Sequence, residues 1–436
     1  MTYQRRRPTF SPADSAARRY ELRTPAGPPT LERVAHHENL LAAFHDLKAK
    51  GGGPGPDGVT FAGIGRRDAP VLARNLSARI LAGTYRPGPT RLVRVPKASG
   101  GYREIQVGNV CDRVAAAALN RIMTPLWAKV LGLCSYGRAG RGVDLLLAEL
   151  AARMTARGLY VVAADDVKGA FDHVVIGQVL DDHRRRVDDP ALVGLVGTIL
   201  RGQDPTHNVG IPQGCPYSPA ALDARLHAAH DAPFAGAFRD ELSLFRYVDN
   251  LVIPCKDMQK AHQALGVSRL LLADAGLTLK GQDGDPADIR EGGVVHVLGF
   301  TLGIVDGVPK FGTGRSAVDG LTESLDEAHR THNPPQAASL AVRGWLASQG
   351  PAFETQRISD TIDSVFDVSA RQGFRELGSR KDLRLWAKDA RRRWKACRKA
   401  AEHRENVRTR TPKVTRLIRV GAPPPTVSAR GTSPPV

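Results

Sequence analysis

Phe245-Arg246-Tyr247-Val248-Asp249-Asn250-Leu251-Val252-Ile253 is the stretch on which the reading of this chain turns. An alternating run from Leu242 to Val248 stops at two turn residues. A second apolar run, Leu251 to Ile253, follows at once and ends at Pro254. Two strands parted by an Asp-Asn pair predict a tight hairpin, because Asp and Asn tolerate positive φ. Alone, Asp249 and Asn250 read equally well as turn formers and as functional groups. Two upstream segments add meaning. Ala163-Ala164-Asp165-Asp166-Val167-Lys168-Gly169-Ala170-Phe171-Asp172 follows an apolar strand, Leu159 to Val162. Gly210-Ile211-Pro212-Gln213-Gly214-Cys215-Pro216-Tyr217-Ser218-Pro219 precedes a helix-like segment from Ala220 to His230.

In this order the three segments resemble the palm of the reverse transcriptases, most closely the group II intron type of bacterial retroelements. That family reads Asp-Ile-Lys-Gly-x-Phe-Asp, then Gly-x-Pro-Gln-Gly-x-x-x-Ser-Pro, then Arg-Tyr-Ala-Asp-Asp. Matching blocks run from about Asn39 to about Trp345. They include Asp112-Arg113 before a helix, Ser135-Tyr136-Gly137-Arg138, Val297-Leu298-Gly299-Phe300 as a primer-gripping strand, and Arg343-Gly344-Trp345. The resemblance implies an α+β right-hand polymerase with fingers, an antiparallel-sheet palm and a helical thumb. The expected divisions are a disordered basic arm at 1–30, fingers at 31–130, palm at 131–305, and thumb at 306–400. A basic, then Pro-rich, disordered tail is expected at 401–436.

Polymerisation is an in-line attack of a primer 3′-hydroxyl on an α-phosphate. Two magnesium ions about 3.5–4 Å apart would serve the attacking and leaving oxygens. They need carboxylates from different strands converging at one edge of a sheet. The resemblance assigns Asp166 and Asp249 as catalytic metal ligands, with Val167 beside them at the metal site. Asp166 is preferred to Asp165 because Phe171 falls five residues after it, the family spacing. The family uses that ring to exclude a ribose 2′-hydroxyl, which implies deoxynucleotides; a core aromatic is the plain alternative. Gln213-Gly214 matches the pair that contacts the nascent base pair, where glycine permits close backbone approach. Lys97 and Arg103 flank a hairpin turn at positions that hold the incoming triphosphate, where cations offset charge building on the leaving group. The Gln-Gly and Ser-Pro spacing differs from the Ser-Gln variant of diversity-generating retroelements.

Two residues depart from the family. Asn250 stands where a second Asp is usual, as in some negative-strand RNA virus polymerases. Magnesium is commonly held by one or two protein carboxylates with substrate phosphates and water, so Asp166 and Asp249 suffice in number. The missing charge predicts weaker metal binding and a shift toward manganese. The family's pyrophosphate-protonating lysine falls at Asp283; Lys280 is three residues away, to act as the general acid in its place or to leave that role unfilled.

The rest of the 436 residues fits a polyanionic partner. Lys plus Arg outnumber Asp plus Glu by 62 to 44, which suits nucleic acid or marks an arginine-rich soluble protein. Helical periodicity covers Leu31 to Lys50 and Val71 to Ala82, and Gly51 to Gly58 must leave the helix. No strand precedes that loop and no Gly-Lys-Ser/Thr follows, so a nucleotide P-loop is excluded. Five cysteines with no Cys-x-x-Cys pair indicate neither a zinc finger nor a disulfide framework. No apolar stretch reaches about 18 residues and no signal-peptide region opens the chain, so a cytoplasmic, membrane-free protein is expected. Arg371 to Arg419 is densely basic, with Trp386 and Trp394 interleaved, and reads as a cationic helix face tracking a duplex.

The function so implied is RNA-directed DNA synthesis on an RNA template from a DNA or RNA primer. A polymerase-like RNA-binding factor or maturase with weak or lost synthesis is the alternative, and a host-adopted enzyme in phage defence another.

Overall fold

The computed structural model describes residues 27–96, 102–138, 140–239, 241–281 and 285–410. Lys97 and Asp283 lie outside the described residues, as do most of the expected arm and of the tail. The chain is a mixed helical and sheet structure in which the strands of all three sheets pair antiparallel.

The first part is helical. It holds α1 (Leu31–Ala35), α2 (His37–Lys50), α3 (Asp68–Leu81), an exposed β1–β2 hairpin (Arg91–Pro96, Tyr102–Val107) and α4 (Val110–Val130). The helix expected from Leu31 to Lys50 breaks at His36, whose ψ of 127° is extended. In α3, Ala69, Ala73, Leu76 and Ile80 recur every three to four residues, and that face is the buried one.

A central block follows: α5 (Val143–Arg157), β3 (Val161–Asp166), α6 (Ala170–His173), α7 (Ile176–Arg184), α8 (Pro190–Arg201) and α9 (Ser218–Leu226). A π-helical turn leads to α10 (Ala232–Ala237), then β4 (Phe245–Tyr247), β5 (Asn250–Cys255), α11 (Met258–Asp274) and β6 (Ala287–Asp288). The sheet order is β4-β5-β3-β6. Alternation along β3 divides two cores. Val161 and Ala163 pack with Phe234, Ile253 and Ala264 on one face. Val162 packs with Leu147, Phe245 and Val252 on the other. A strand with apolar side chains on both faces is wanted only where both faces are covered.

The last part begins with β7 (Val295–Val297), β8 (Phe300–Val305) and β9 (Val308–Thr313). The helices α12 (Arg315–Ala328), α13 (Pro334–Ser348), α14 (Ile358–Arg371) and α15 (Arg380–Arg410) complete it. Three expectations are corrected here. Val297 to Phe300 is not one strand: Leu298 and Gly299, both at positive φ, turn β7 into β8. Residues 306–313 are not helical, because Asp306 and Gly307 make a second such turn, into β9. Residues 401–410 are not disordered: they continue α15, which packs along α5.

That packing has an ionic lock. Glu405 is 4% exposed and accepts from Arg153 Nε at 2.9 Å and Arg157 Nε at 3.1 Å. Glu149 on α5 takes Arg404 Nε at 3.0 Å and the Tyr136 hydroxyl at 2.6 Å. Trp394 is fully buried on Phe311. Of the two interleaved tryptophans, Trp394 is therefore core.

Glu405→Ala should lower unfolding free energy by about 2 kcal/mol. That is less than the ~3–5 kcal/mol of a fully buried pair, because Arg157 is 35% exposed. Urea denaturation checks it through a lower midpoint at unchanged slope.

Candidate active site

The register of the central sheet builds the site. Asp166, the last residue of β3, lies opposite Asn250, the first of β5, so Asp249 immediately precedes the pair. Val167 N–H donates to Asp249 C=O at 2.9 Å, tying the strand end to the hairpin tip. Burial, then the neighbouring Asp166 charge, raises the Asp249 carboxyl above its usual value. Asn250 Nδ2 donates to Asp249 Oδ1 at 3.1 Å. The two carboxylates expected to converge are thus brought together, with Asn250 as an amide orienting one of them. Val167 is fully buried, and its hydrocarbon side chain offers no ligand atom.

Asp165 does something else. It is 4% exposed, and its carboxylate accepts from Asp166 N–H at 2.8 Å and Gly281 N–H at 3.2 Å. It belongs to the backbone scaffold. The segment it fixes carries Lys280. Lys168 N–H donates to Thr278 C=O and Lys280 N–H to Asp166 C=O, each at 2.8 Å. The Lys280 ammonium lies 2.6 Å from Asp166 Oδ2. Lys280 is therefore at the site, held there by backbone.

The hairpin turn differs from expectation. Val248 and Asp249 form it, and the positive φ of 56° is at Val248, not at Asp249 or Asn250. Asn250 is occupied in the β3–β5 ladder, which moves the turn back by one residue. A β-branched residue at positive φ is strained and persists only where its surroundings enforce it. Here the enforcing group is Arg246. Its guanidinium, 0% exposed, donates from Nη1 to Val248 C=O at 2.9 Å. It also pairs with Asp223 at 2.6 Å and Asp231 at 2.6 Å. Burial alone would raise the Asp231 carboxyl; Arg246, His227 and His230 override it and hold it well below the carboxylate range. Ser135 Oγ donates to Asp223, and Ser135 bridges Arg246 in parallel. A Cβ on Gly137 would come within 2.9 Å of Val248 Cγ2, so the Ser-Tyr-Gly motif needs its glycine to seat the turn. Arg138 is spent on backbone, donating to Ser135, Ala128 and Gly132 oxygens. Sequence reading missed Asp223 and Asp231; a charged Arg in a strand of otherwise apolar and aromatic residues was the available signal.

The Gln213 loop closes the other side. Ile211 N–H donates to Phe171 C=O at 2.7 Å and Gln106 N–H to Gln213 C=O at 2.6 Å. Gly214 has φ +113°, and a Cβ there would meet Gln106 O at 2.6 Å. Phe171 is half-buried and, with Gln106 and Gly214, lines a cavity of about 410 Å³. Arg103 is exposed on β2 opposite Val95.

The hard oxygen donors that could hold a metal here are the carboxylates of Asp166 and Asp249. Among the described residues, no three acidic, His or Cys side chains are grouped to hold an ion. Two carboxylates completed by substrate oxygens and water suit magnesium or manganese, so the residues fit the expected ion.

Comparison with known proteins finds relatives over part of the chain. Protein YkfC of Escherichia coli K12 is 30% identical over 198 residues, 43% of this chain and 51% of that protein. The putative COX1/OXI3 intron 1 protein of Saccharomyces cerevisiae is 25% identical over 197 residues, 43% of this chain and 23% of that protein. These relatives support a reverse-transcriptase-like type for the chain. It spans about half the length of the first relative and about a quarter of the second. A telomerase structure from Candida albicans, solved with a fragment of telomeric RNA, aligns over 74% of this chain and 66% of its own. The TM-score is 0.42 at 10% identity. No protein-family model matches. Among the described residues, no helix is long and apolar enough to cross a membrane.

Two tests follow from this geometry. Arg246→Met leaves Asp223 and Asp231 without their buried counter-charge and should cost about 3–5 kcal/mol in urea unfolding. A loss under about 1 kcal/mol would show that the network does not hold the hairpin. Asp249 binds its proton more tightly folded than unfolded, so above about pH 4 the native state holds the extra proton and stability falls as pH rises. With chelator present, Asp249→Asn should raise the melting temperature at pH 7 and leave it nearly unchanged below pH 4.

Proposed function

We propose that the chain is a right-hand polymerase that makes DNA on an RNA template, extending a DNA or RNA primer with deoxynucleotides. In this reading, residues 31–130 serve as fingers, 131–305 with β9 as palm, and the C-terminal helices as thumb. The single observation that carries it is the meeting of Asp166 and Asp249 at one end of the β3–β5 pair.

Bound magnesium would supply charge stabilisation of the attacking and leaving oxygens. The chain's own residues do the rest. Asp166 and Asp249 hold the cations from two strands, with the Val167 carbonyl adding a further oxygen. Asn250 orients the Asp249 carboxylate. Phe171, braced through its carbonyl by Ile211, sets the space beside the sugar. Gln213 meets the nascent base pair. Lys97 and Arg103 neutralise the triphosphate. Lys280, 2.6 Å from Asp166, is a proton donor within reach of a leaving group held there.

The thumb supports a duplex partner. Lys381, Arg384, Lys388, Arg391, Lys395 and Lys399 are exposed and recur every three or four residues of α15. The opposite stripe, Leu383, Ala387, Ala390 and Trp394, is buried. Over the 18 residue steps from Lys381 to Lys399 the cationic stripe runs about 27 Å at ~1.5 Å per residue. Such a stripe neutralises phosphates and makes binding fall with salt.

One feature favours the second reading, an RNA-binding factor or maturase with weak synthesis. Asn250 lacks the usual charge and Lys280 offsets Asp166, which leaves the carboxylate pair weakly negative.

Primer extension separates the two. Purified protein receives an RNA template, an annealed DNA primer and deoxynucleotides with magnesium or manganese. Extension should fall by more than roughly 100-fold in Asp249→Ala, beyond the 10–100-fold typical of partners outside the ligand set. Asn250→Asp should lower the magnesium needed for half-maximal extension. No extension with either metal, with salt-sensitive RNA binding intact, would overturn the polymerase reading in favour of the second.

A further inference from the structure

We propose that Asp172 is a positioning residue for Gln213, fixing which atom of its amide faces the base pair and so contributing to nucleotide selection. The inference deepens the polymerase reading and rests on it.

The contact is direct. Gln213 Nε2 donates to Asp172 Oδ1 at 2.8 Å. An ionised carboxylate only accepts, so the Gln213 amide must turn its NH2 toward Asp172. That leaves Oε1 as the atom offered on the other side. Without Asp172 the amide's two orientations are close in energy, and the side chain would present a donor or an acceptor by turns.

The backbone makes the contact firm. Asp172 lies in the single turn α6, entered through Gly169 in the left-handed region, φ +52°. Gly210 N–H donates to Val174 C=O at 2.8 Å, and Ile211 N–H to Phe171 C=O at 2.7 Å. A Cβ on Gly210 would lie 2.9 Å from Asp172 O, so the loop lies directly on the turn. From the far side Gln106 N–H takes the Gln213 carbonyl. The proposed sugar gate and the proposed base-pair contact are thus parts of one strapped unit, and the Asp172–Gln213 bond joins them through side chains. A change at Asp172 should therefore alter selection rather than fold.

The test combines kinetics with a direct view of the amide. Steady-state single-nucleotide extension is measured for wild type, Asp172→Ala, Asp172→Asn, Gln213→Ala and the double variant Asp172→Ala/Gln213→Ala. Asp172→Ala should raise KM for the correct deoxynucleotide about tenfold, the scale of one charge-assisted hydrogen bond, with a smaller change in kcat. Its ratio of incorrect to correct insertion should rise similarly. Asp172→Asn, which can still accept from Gln213, should lie between. The double variant should be no worse than Gln213→Ala, since the two act through one bond. Additive losses, or a fall in kcat with KM and selectivity unchanged, would overturn the proposal.

The second readout does not depend on synthesis. In protein labelled with 15N at glutamine, the Gln213 side-chain amide is assigned by its loss in Gln213→Ala. Its proton resonances should move in Asp172→Ala, with the melting temperature within about 2 °C of wild type. Unmoved resonances would overturn the positioning role. A wild type that extends no primer would sink the polymerase reading separately, and selection at this site with it.

Discussion

Arg246 carries a full charge at a position with no solvent to answer it. Everything around the site follows from how that charge is met. Asp231 and Asp223 approach from the helical side, Ser135 steadies Asp223 through its hydroxyl, and one Nη1 donor goes to the carbonyl of Val248. A buried pair of this kind is poor evidence of stability in itself, since apolar replacements of like volume often do as well. What it does here is geometric. The guanidinium has fixed directions for its donors, and one of them sets the turn that presents Asp249. The strain at Val248 is the local sign of that constraint.

Much of this was legible in the sequence. The strand ending at Asp166, the hairpin around Asp249 and the Gln213 loop are written in contiguous residues whose alternation and glycines have local causes. The preference for Asp166 over Asp165 comes from the spacing to Phe171; the inward turn of Asp165 onto backbone amides is a tertiary fact. Asp223 and Asp231 were not legible, since their role depends on a helix and a strand meeting. The turn was placed one residue late because Asn250 looked like a turn former while its backbone is claimed by β3. Helix propensity over 401–410 was outweighed by a composition read as disorder; the tertiary partner that orders it, α5, is about 250 residues away in the chain.

The charge of the site is set by the same logic. Asp165 turns inward and serves backbone amides. Asn250 gives an amide where a carboxylate would give charge. Lys280 returns a positive charge to Asp166. In the proposed polymerase reading, a carboxylate pair with so little surplus of negative field would leave more of the holding of a cation to substrate phosphates than a site with three acids does.

The seam between α15 and α5 has a consequence for the order in which the molecule can be made. Arg153 meets Glu405 across 252 positions, and Trp394 and Ala401 are buried in the same cluster as Val162 and Phe245. As the chain emerges from the ribosome, the face of α5 that α15 covers therefore stays open until residues 380–410 have been made. Its apolar side chains are exposed for the tens of seconds that synthesis takes at about 5–20 residues per second. Long-range closure of this sort slows folding. It also makes α15 the late cover of α5, so an unfinished chain carries that helix face open.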